Sequence, residues 1–216
     1  LKPALKDNKR IEFLFQDIDR LKQMNNVENI IRKNLNFSGS INYYKHHLCH
    51  VASSYYPSGF KNALCLSVDG VGEYETGIIA AGKSGKIKVL NNENVYPHSL
   101  GLLYSAITHY LGWKHHCDEG IVMGLATYGD PDRQIPGDHR SYSEVFGEIV
   151  ELNRESYGYR INRDWISYHR GRNTWVSPQF GSVFGEKREA SGEITQHHMN
   201  IAAALQKRIE EVVLSD

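Results

Sequence analysis

An α/β fold is predicted by three observations. Ile11 to Leu21 and Ile201 to Val213 each set apolar residues at helical spacing among charged ones. Ala63 to Val68 is a short, mostly apolar run that ends in the turn Asp69-Gly70-Val71-Gly72-Glu73, at the edge where open α/β sheets hold ligands. Thr76 to Ala81 and Ile87 to Leu90 flank Gly82-Lys83-Ser84-Gly85, which is hairpin chemistry. One-sided helices need a sheet to cover their apolar faces, and a strand apolar on both faces needs a layer on each side.

The elements follow in order. Ile11, Leu14, Phe15, Ile18 and Leu21 form the first helix, and Val27, Ile30 and Ile31 continue its pattern weakly until Asn36 to Ser40 breaks it. A short strand at Ser40 to Tyr44 leads into a helix over Tyr44 to Tyr56, stopped by Pro57-Ser58-Gly59. Ala63 to Val68 is expected to be the central strand of a three-stranded meander. Ser99 is placed to cap a helix carrying Leu102, Leu103, Ala106, Ile107, Tyr110 and Leu111. His115 to Glu119 reads as a solvated link rather than a metal site, because adjacent ligands do not converge on one ion. Gly120, Gly124 and Gly129 mark places where the backbone must pack or bind closely. Asp130 to Glu193 is polar without a sustained period, and is expected to be an insertion of short strands and turns over the scaffold. There Arg170, Arg172 and Trp175 are either sugar or phosphate contacts or plain exposed loop residues. Ile201, Ala202, Leu205, Ile209, Val212 and Val213 line the last helix.

Composition narrows the function. With 216 residues the chain can bury a large core and still hold a cleft. Lys plus Arg and Asp plus Glu are both 25, a formal net charge of +0, which argues against nucleic acid or an anionic membrane as a partner. The three cysteines, Cys49, Cys65 and Cys117, have no CxxC spacing, and no apolar run reaches spanning length. A reducing cytoplasm is the expected setting.

The chemistry concentrates in Ile41 to Pro57, read INYYKHHLCHVASSYYP. On a helix His46 and His50 share one face a turn apart and can share one metal ion, while His47 points elsewhere. Asp69 is the expected third ligand. The competing reading of the pair is ordinary polarity on an amphipathic helix. Gly70 and Gly72 allow their amides to approach an anion, against the alternative of a plain turn, and Glu73 is a second carboxylate. The helix start at Ser99 is a further phosphate candidate.

Five ordered stretches resemble the O-carbamoyltransferase family, which includes nodulation and antibiotic-biosynthesis carbamoyltransferases. They are His46-His47-Leu48-Cys49-His50; Val68-Asp69-Gly70-Val71-Gly72-Glu73; Pro97-His98-Ser99-Leu100-Gly101-Leu102-Leu103-Tyr104-Ser105; Glu119 with Val122-Met123-Gly124-Leu125-Ala126 and Tyr128-Gly129; and Ile194-Thr195-Gln196. The resemblance implies a duplicated actin-like, sugar-kinase-like (RNase H-like) fold, incomplete in this chain, with a first domain similar to the tRNA threonylcarbamoyl transferases. Residues 1–60 would close the first lobe with the metal-binding helix, and 61–216 would open the second. It implies a divalent metal, iron before others, on His46, His50 and Asp69, and ATP with carbamoyladenylate facing Gly70 and Gly72. Ser99 and Glu119 are candidate substrate contacts and Glu73 the candidate base. The implied reaction moves a carbamoyl group from carbamoyl phosphate, via carbamoyladenylate, to a hydroxyl of a small molecule of sugar, antibiotic or lipo-oligosaccharide type.

The family's pattern extends before Leu1 and past Asp216, into a further acidic ligand and an activating domain. The piece is therefore expected to need the remainder of a longer chain or a second copy, to expose apolar surface, and to be inactive alone. Ile121 stands where the family has Lys, and Thr127 where it has Pro or Ser. Two alternatives remain: a threonylcarbamoyl-type tRNA-modifying enzyme, which the neutral charge disfavours, and a non-catalytic nucleotide-binding module of the same fold, which Ile121 favours.

Overall fold

The computed structural model describes residues 26–153, 158–171 and 174–215. The expected helix at Ile11 to Leu21 and the candidate contact Arg172 lie outside them. Residues 1–44 and 45–216 form two compact units. In the first, helix α1 (Val27–Leu35) carries a Glu28–Arg32 ion pair at 2.7 Å, one turn apart. Asn36, in the left-handed region at φ 49°, ends it. The Arg32 guanidinium then donates to the Gly39 carbonyl at 3.0 Å. Ser40 to Tyr44 carries no strand pairing among the described residues: alternation at Ile41 and Tyr43 supplies propensity, but no ladder partner is found there.

The second unit opens with helix α2 (His46–Tyr55), which buries His47, Val51 and Tyr55 at four-residue spacing. These pack on an antiparallel sheet of β1 (Asn62–Val68), β2 (Gly77–Lys83) and β3 (Lys86–Asn91), in the order β1-β2-β3. The register pairs Leu66 with Ile79 and Cys65 with Ala80. The hairpin turns on Ser84 and Gly85 alone, both at positive φ (49° and 74°), the two-residue geometry that suits strand twist.

The expectation of a central strand at Ala63 to Val68 is corrected. Among the described residues β2 is central, and β1 is an edge strand that buries Cys65 and Ser67 while exposing Leu64, Leu66 and Val68. Its small side chains face the space that Val51 and Tyr55 fill, so its larger ones are turned outward.

The larger core lies in α3 (Leu100–Tyr110), α4 (Glu119–Ala126), α5 (Tyr142–Ile149), the hairpin β4 (Val150–Asn153) and β5 (Gly158–Ile161), α6 (Pro178–Phe184) and α7 (Gln196–Ser215). α7 buries Ile201, Ala202, Leu205 and Val212 against α4 and α5, as its spacing predicted. The segment from Asp130 to Glu193 is no insertion over a scaffold, because Tyr142, Phe146, Trp165, Phe180 and Phe184 from it are core residues. Tyr142, Val145, Phe146 and Ile149 are one buried helical stripe, begun by a capping box in which Ser141 and Glu144 satisfy each other's amides. Of these three glycines Gly129 packs closely, since a Cβ there would collide with the Met199 carbonyl, whereas Gly120 and Gly124 face open space. The architecture is thus mixed α/β with two small antiparallel sheets. Among the described residues no helix is long and apolar enough to cross a membrane.

Candidate metal centre

α2 sets His46 and His50 one turn apart, with ring centroids 4.5 Å from each other. Asp69 follows the last residue of β1, the strand on which α2 packs, so its carboxylate meets the same face. His46 Nε2 lies 2.8 Å from Asp69 Oδ2, His50 Nε2 lies 3.3 Å from that oxygen, and the two Nε2 atoms are 3.0 Å apart. Among the described residues this is the one trio of His, Cys, Asp or Glu able to share an ion.

The triangle fits a metal on geometric grounds. Donors ~2.1 Å from an ion stand ~3.0 Å apart when mutually cis in an octahedron and ~3.4 Å apart in a tetrahedron. Edges of 2.8, 3.0 and 3.3 Å fall in the span that three donors to one ion would have. Two imidazoles and one carboxylate on a face is the donor set of non-haem iron(II) sites. Partial burial of Asp69 works to raise its pKa, but hydrogen bonds from His46, the Gly70 amide and His50 outweigh it, so the carboxyl titrates below its usual range.

His47 holds this geometry together. It is buried, and its Nε2 lies 2.9 Å from the Glu75 carbonyl while Nδ1 lies 2.8 Å from Ser67 Oγ. A carbonyl only accepts, so Nε2 carries the proton and Nδ1 accepts from the Ser67 hydroxyl. One ring thereby ties α2 to both ends of the Asp69 loop. From the far side Ser99 caps α3 by accepting from the Leu102 amide at 3.0 Å, and its own proton goes to the Gly70 carbonyl at 2.6 Å. Gly101 permits the approach: a Cβ there would sit 2.6 Å from the Gly70 nitrogen.

The family description "Carbamoyltransferase N-terminus" matches residues 12–216. The chain belongs to the carbamoyltransferase family. The nodulation protein NolNO of Sinorhizobium fredii is 35% identical over 80% of this chain and 22% of its own length. The nodulation protein NolO of Bradyrhizobium diazoefficiens is 36% identical over 78% of this chain and 27% of its own. An uncharacterised protein of Synechocystis is 36% identical over 79% and 26%. The chain therefore spans about a quarter of the length of the relatives it matches.

The structure distributes the other predicted site residues of this carbamoyltransferase chain unevenly. The Gly70 amide lies 2.6 Å from Asp69 Oδ1 and the Gly72 amide donates to the Glu75 carbonyl at 2.8 Å, so neither is presented as a free anion donor. Ser99 spends its hydroxyl on the Asp69–Gly70 turn rather than on open space. Glu73 accepts from the His46 amide at 3.3 and 3.4 Å and so caps α2. Arg170 and Trp175 do not line the cleft beside Asp69; the Trp175 ring rests against His115, with centroids 4.4 Å apart. Glu119 does line it. That cleft, of about 610 Å³, runs from Val68, Asp69 and Gly70 to Tyr104, Ser105, His116, Glu119 and Met123.

Reading His115 to Glu119 as a solvated link is corrected in part. His116 and Glu119 build the cleft wall. Sequence reasoning also passed over His47, Ser67 and Ser105. The HH pair at 46 and 47 was the available signal, since one of two adjacent histidines on a packed helix faces inward.

Proposed function

We propose that the chain is the metal-holding part of an enzyme that transfers a carbamoyl group from carbamoyl phosphate, through carbamoyladenylate made with ATP, to a hydroxyl of a small molecule. The observation that carries this reading is the convergence of His46, His50 and Asp69 within a carbamoyltransferase chain. His46, His50 and Asp69 would hold the ion, iron in the first instance. When bound it supplies Lewis-acid polarisation of the carbamoyl oxygen. Asp69, ionised across the neutral range, contributes the charge that retains the ion. His47 and Ser99 hold the loop that aims Asp69, and the cleft beside it has the size of a small-molecule site. The proposal includes the duplicated actin-like fold, its lobes dividing at 60/61, and a cytoplasmic setting.

Two features weigh against the alternatives. Among the described residues no Lys or Arg lines the cleft, which disfavours tRNA. Ile121, the mark of a degenerate module, is half-exposed on α4 and is not among the cleft-lining residues.

The test compares the full-length protein with His46→Ala, His50→Ala and Asp69→Asn, supplying carbamoyl phosphate, ATP, iron and a panel of hydroxyl acceptors. Iron near one equivalent and carbamoyl transfer are expected in the parent, with loss of both in each variant. Undiminished turnover in the variants would sink the assignment. The 216-residue piece alone is expected to show no turnover.

A further inference from the structure

We infer that Arg160, Arg163 and Arg170 form a docking surface for a carboxylate-rich segment of the same polypeptide, outside residues 1–216. The inference goes beyond the carbamoyl-transfer reading and does not depend on the metal.

All three arginines are exposed, and no carboxylate among the described residues pairs with any of them. Arg160 lies on β5, where Glu151 opposes it in the ladder without an ion pair between them. Arg163 follows in the turn after that strand. The Arg170 guanidinium reaches the Arg163 carbonyl at 3.5 Å and the His169 ring at 3.4 Å, which brings positions 163 and 170 together. His98 joins them by accepting from the Ile161 amide through Nδ1 at 3.0 Å. Burial first, and then Arg160 and Arg163, hold the His98 pKa below its ordinary value. His169 is lowered in the same way, by burial and then by Arg170 and Arg163. Asp164 is the one acidic residue between 158 and 171, and it makes no ion pair. With a formal net charge of +0 over the whole chain, this is a local concentration of uncompensated charge, not a general basicity.

Composition chooses the partner. Residues 158–171 hold Arg, Tyr and Trp but no Lys. Protein docking surfaces favour Arg and Tyr and are poor in Lys, whereas nucleic-acid phosphates and anionic lipids are met by Lys as readily as by Arg. Guanidinium forks match carboxylates through paired parallel hydrogen bonds. Tyr96, 44% exposed, lies beside Tyr168 with ring centroids 6.4 Å apart and adds an aromatic body to the charged surface. Tyr168 in turn donates to the Pro97 carbonyl at 2.6 Å, so the surface is continuous with the segment whose Ser99 holds the Asp69 loop. The chain spans about a quarter of the length of the relatives it matches, so most of the polypeptide able to supply carboxylates lies outside these residues. Ion pairs that are weak singly suffice for a tethered segment, because the linkage raises its local concentration.

The experiment uses the full-length protein with Arg163→Lys and, separately, Arg170→Lys, treated with a carbodiimide that joins an amine to a carboxylate in contact with it. The expected result, read by peptide mass spectrometry, is a cross-link absent from the parent, from position 163 or 170 to an Asp or Glu outside residues 1–216. Mixing isotope-labelled with unlabelled protein shows whether it lies within one polypeptide. Cross-links only within residues 1–216, only between two copies, or at neither position overturn the proposal. Cross-links that appear only after nuclease treatment overturn it too, and assign the surface to nucleic acid. A charge swap separates docking from folding. Arg163→Glu is expected to speed amide exchange across residues 158–171 about tenfold, and reversing the cross-linked acidic residue to Arg in the same protein is expected to restore protection. Unchanged exchange in Arg163→Glu, or no restoration by the swap, overturns the proposal. Should Arg163→Glu not fold, the cross-links carry the test. None of these measurements reads iron or turnover, so failure of the carbamoyl-transfer reading leaves them standing.

Discussion

The histidine helix with its sheet and the helical body from Leu100 to Ser215 are built on different physics. The body buries large side chains, among them Leu103, Phe146, Trp165 and Phe180, in one continuous core. The region of α2 and β1 to β3 has a small core of Val51, Tyr55, Cys65, Ile78 and Ala80, and leaves Leu64, Leu66 and Val68 of its edge strand exposed. What locates its ligands is hydrogen bonding: His47 to Ser67 and Glu75, Ser99 to Gly70, and Lys45 to the buried Glu75 at 3.1 Å. Packing fixes a shape to the width of a side chain, whereas a metal site needs donors set to tenths of an ångström, and directional bonds supply that.

The largest effect expected from this contrast is in the body. Phe146→Ala removes a fully buried ring and should cost about 3–5 kcal/mol of stability. Because Phe146 is distant in kind from the triad's supports, iron stoichiometry in the protein that remains folded should be unchanged. Denaturant unfolding alongside metal analysis checks both halves, and loss of iron from folded variant would break the division between scaffold and site.

Next in size is His47→Ala. Substitution of groups that orient metal ligands costs about 10–100-fold in metal affinity, and that loss is expected here. His47→Gln, which can still donate to the Glu75 carbonyl, should recover part of it. A purely structural role would lower the melting temperature of both variants without moving iron affinity at a temperature where they are folded. Competition with a chelator, read against thermal unfolding, separates the two outcomes.

The site was legible where chemistry and period coincide. His46 and His50 at helical spacing, with Asp69 after an apolar run, are enough to bring three donors to one place, because helix and strand geometry are both regular. The final helix and the hairpin at Ser84-Gly85 were legible for the same reason. What failed had no local cause. In β1 the sequence reads as apolar on both faces, yet burial is decided by where α2 sits, and it sits over Cys65 and Ser67 and leaves Leu64, Leu66 and Val68 exposed. A Gly beside an Asp says that its amide is accessible, not that it is free, and the amides of Gly70 and Gly72 are taken within the loop itself. From Asp130 to Glu193 the polar text hid a core stripe that was readable in part: Ser141 and Glu144 spell a capping box ahead of Tyr142, Val145, Phe146 and Ile149.

The smallest effect sharpens the comparison most, because it concerns a residue that either reading can claim. Glu73 was the candidate base by its place after Asp69, but its exposed carboxylate faces the amide that begins α2, with both oxygens within 3.4 Å of the His46 nitrogen. A carboxylate at a helix start stabilises by about 0.3–1 kcal/mol at low ionic strength, through the unpaired amides and the helix dipole. Glu73→Gln keeps an acceptor for that amide and removes the charge. The expected outcome is a drop in stability within that small range, fading as salt is added, with kcat for carbamoyl transfer and iron content both retained. If instead kcat falls by orders of magnitude while stability and iron stay as they were, Glu73 moves a proton in the reaction, and the bond to His46 is only where its side chain rests between turnovers.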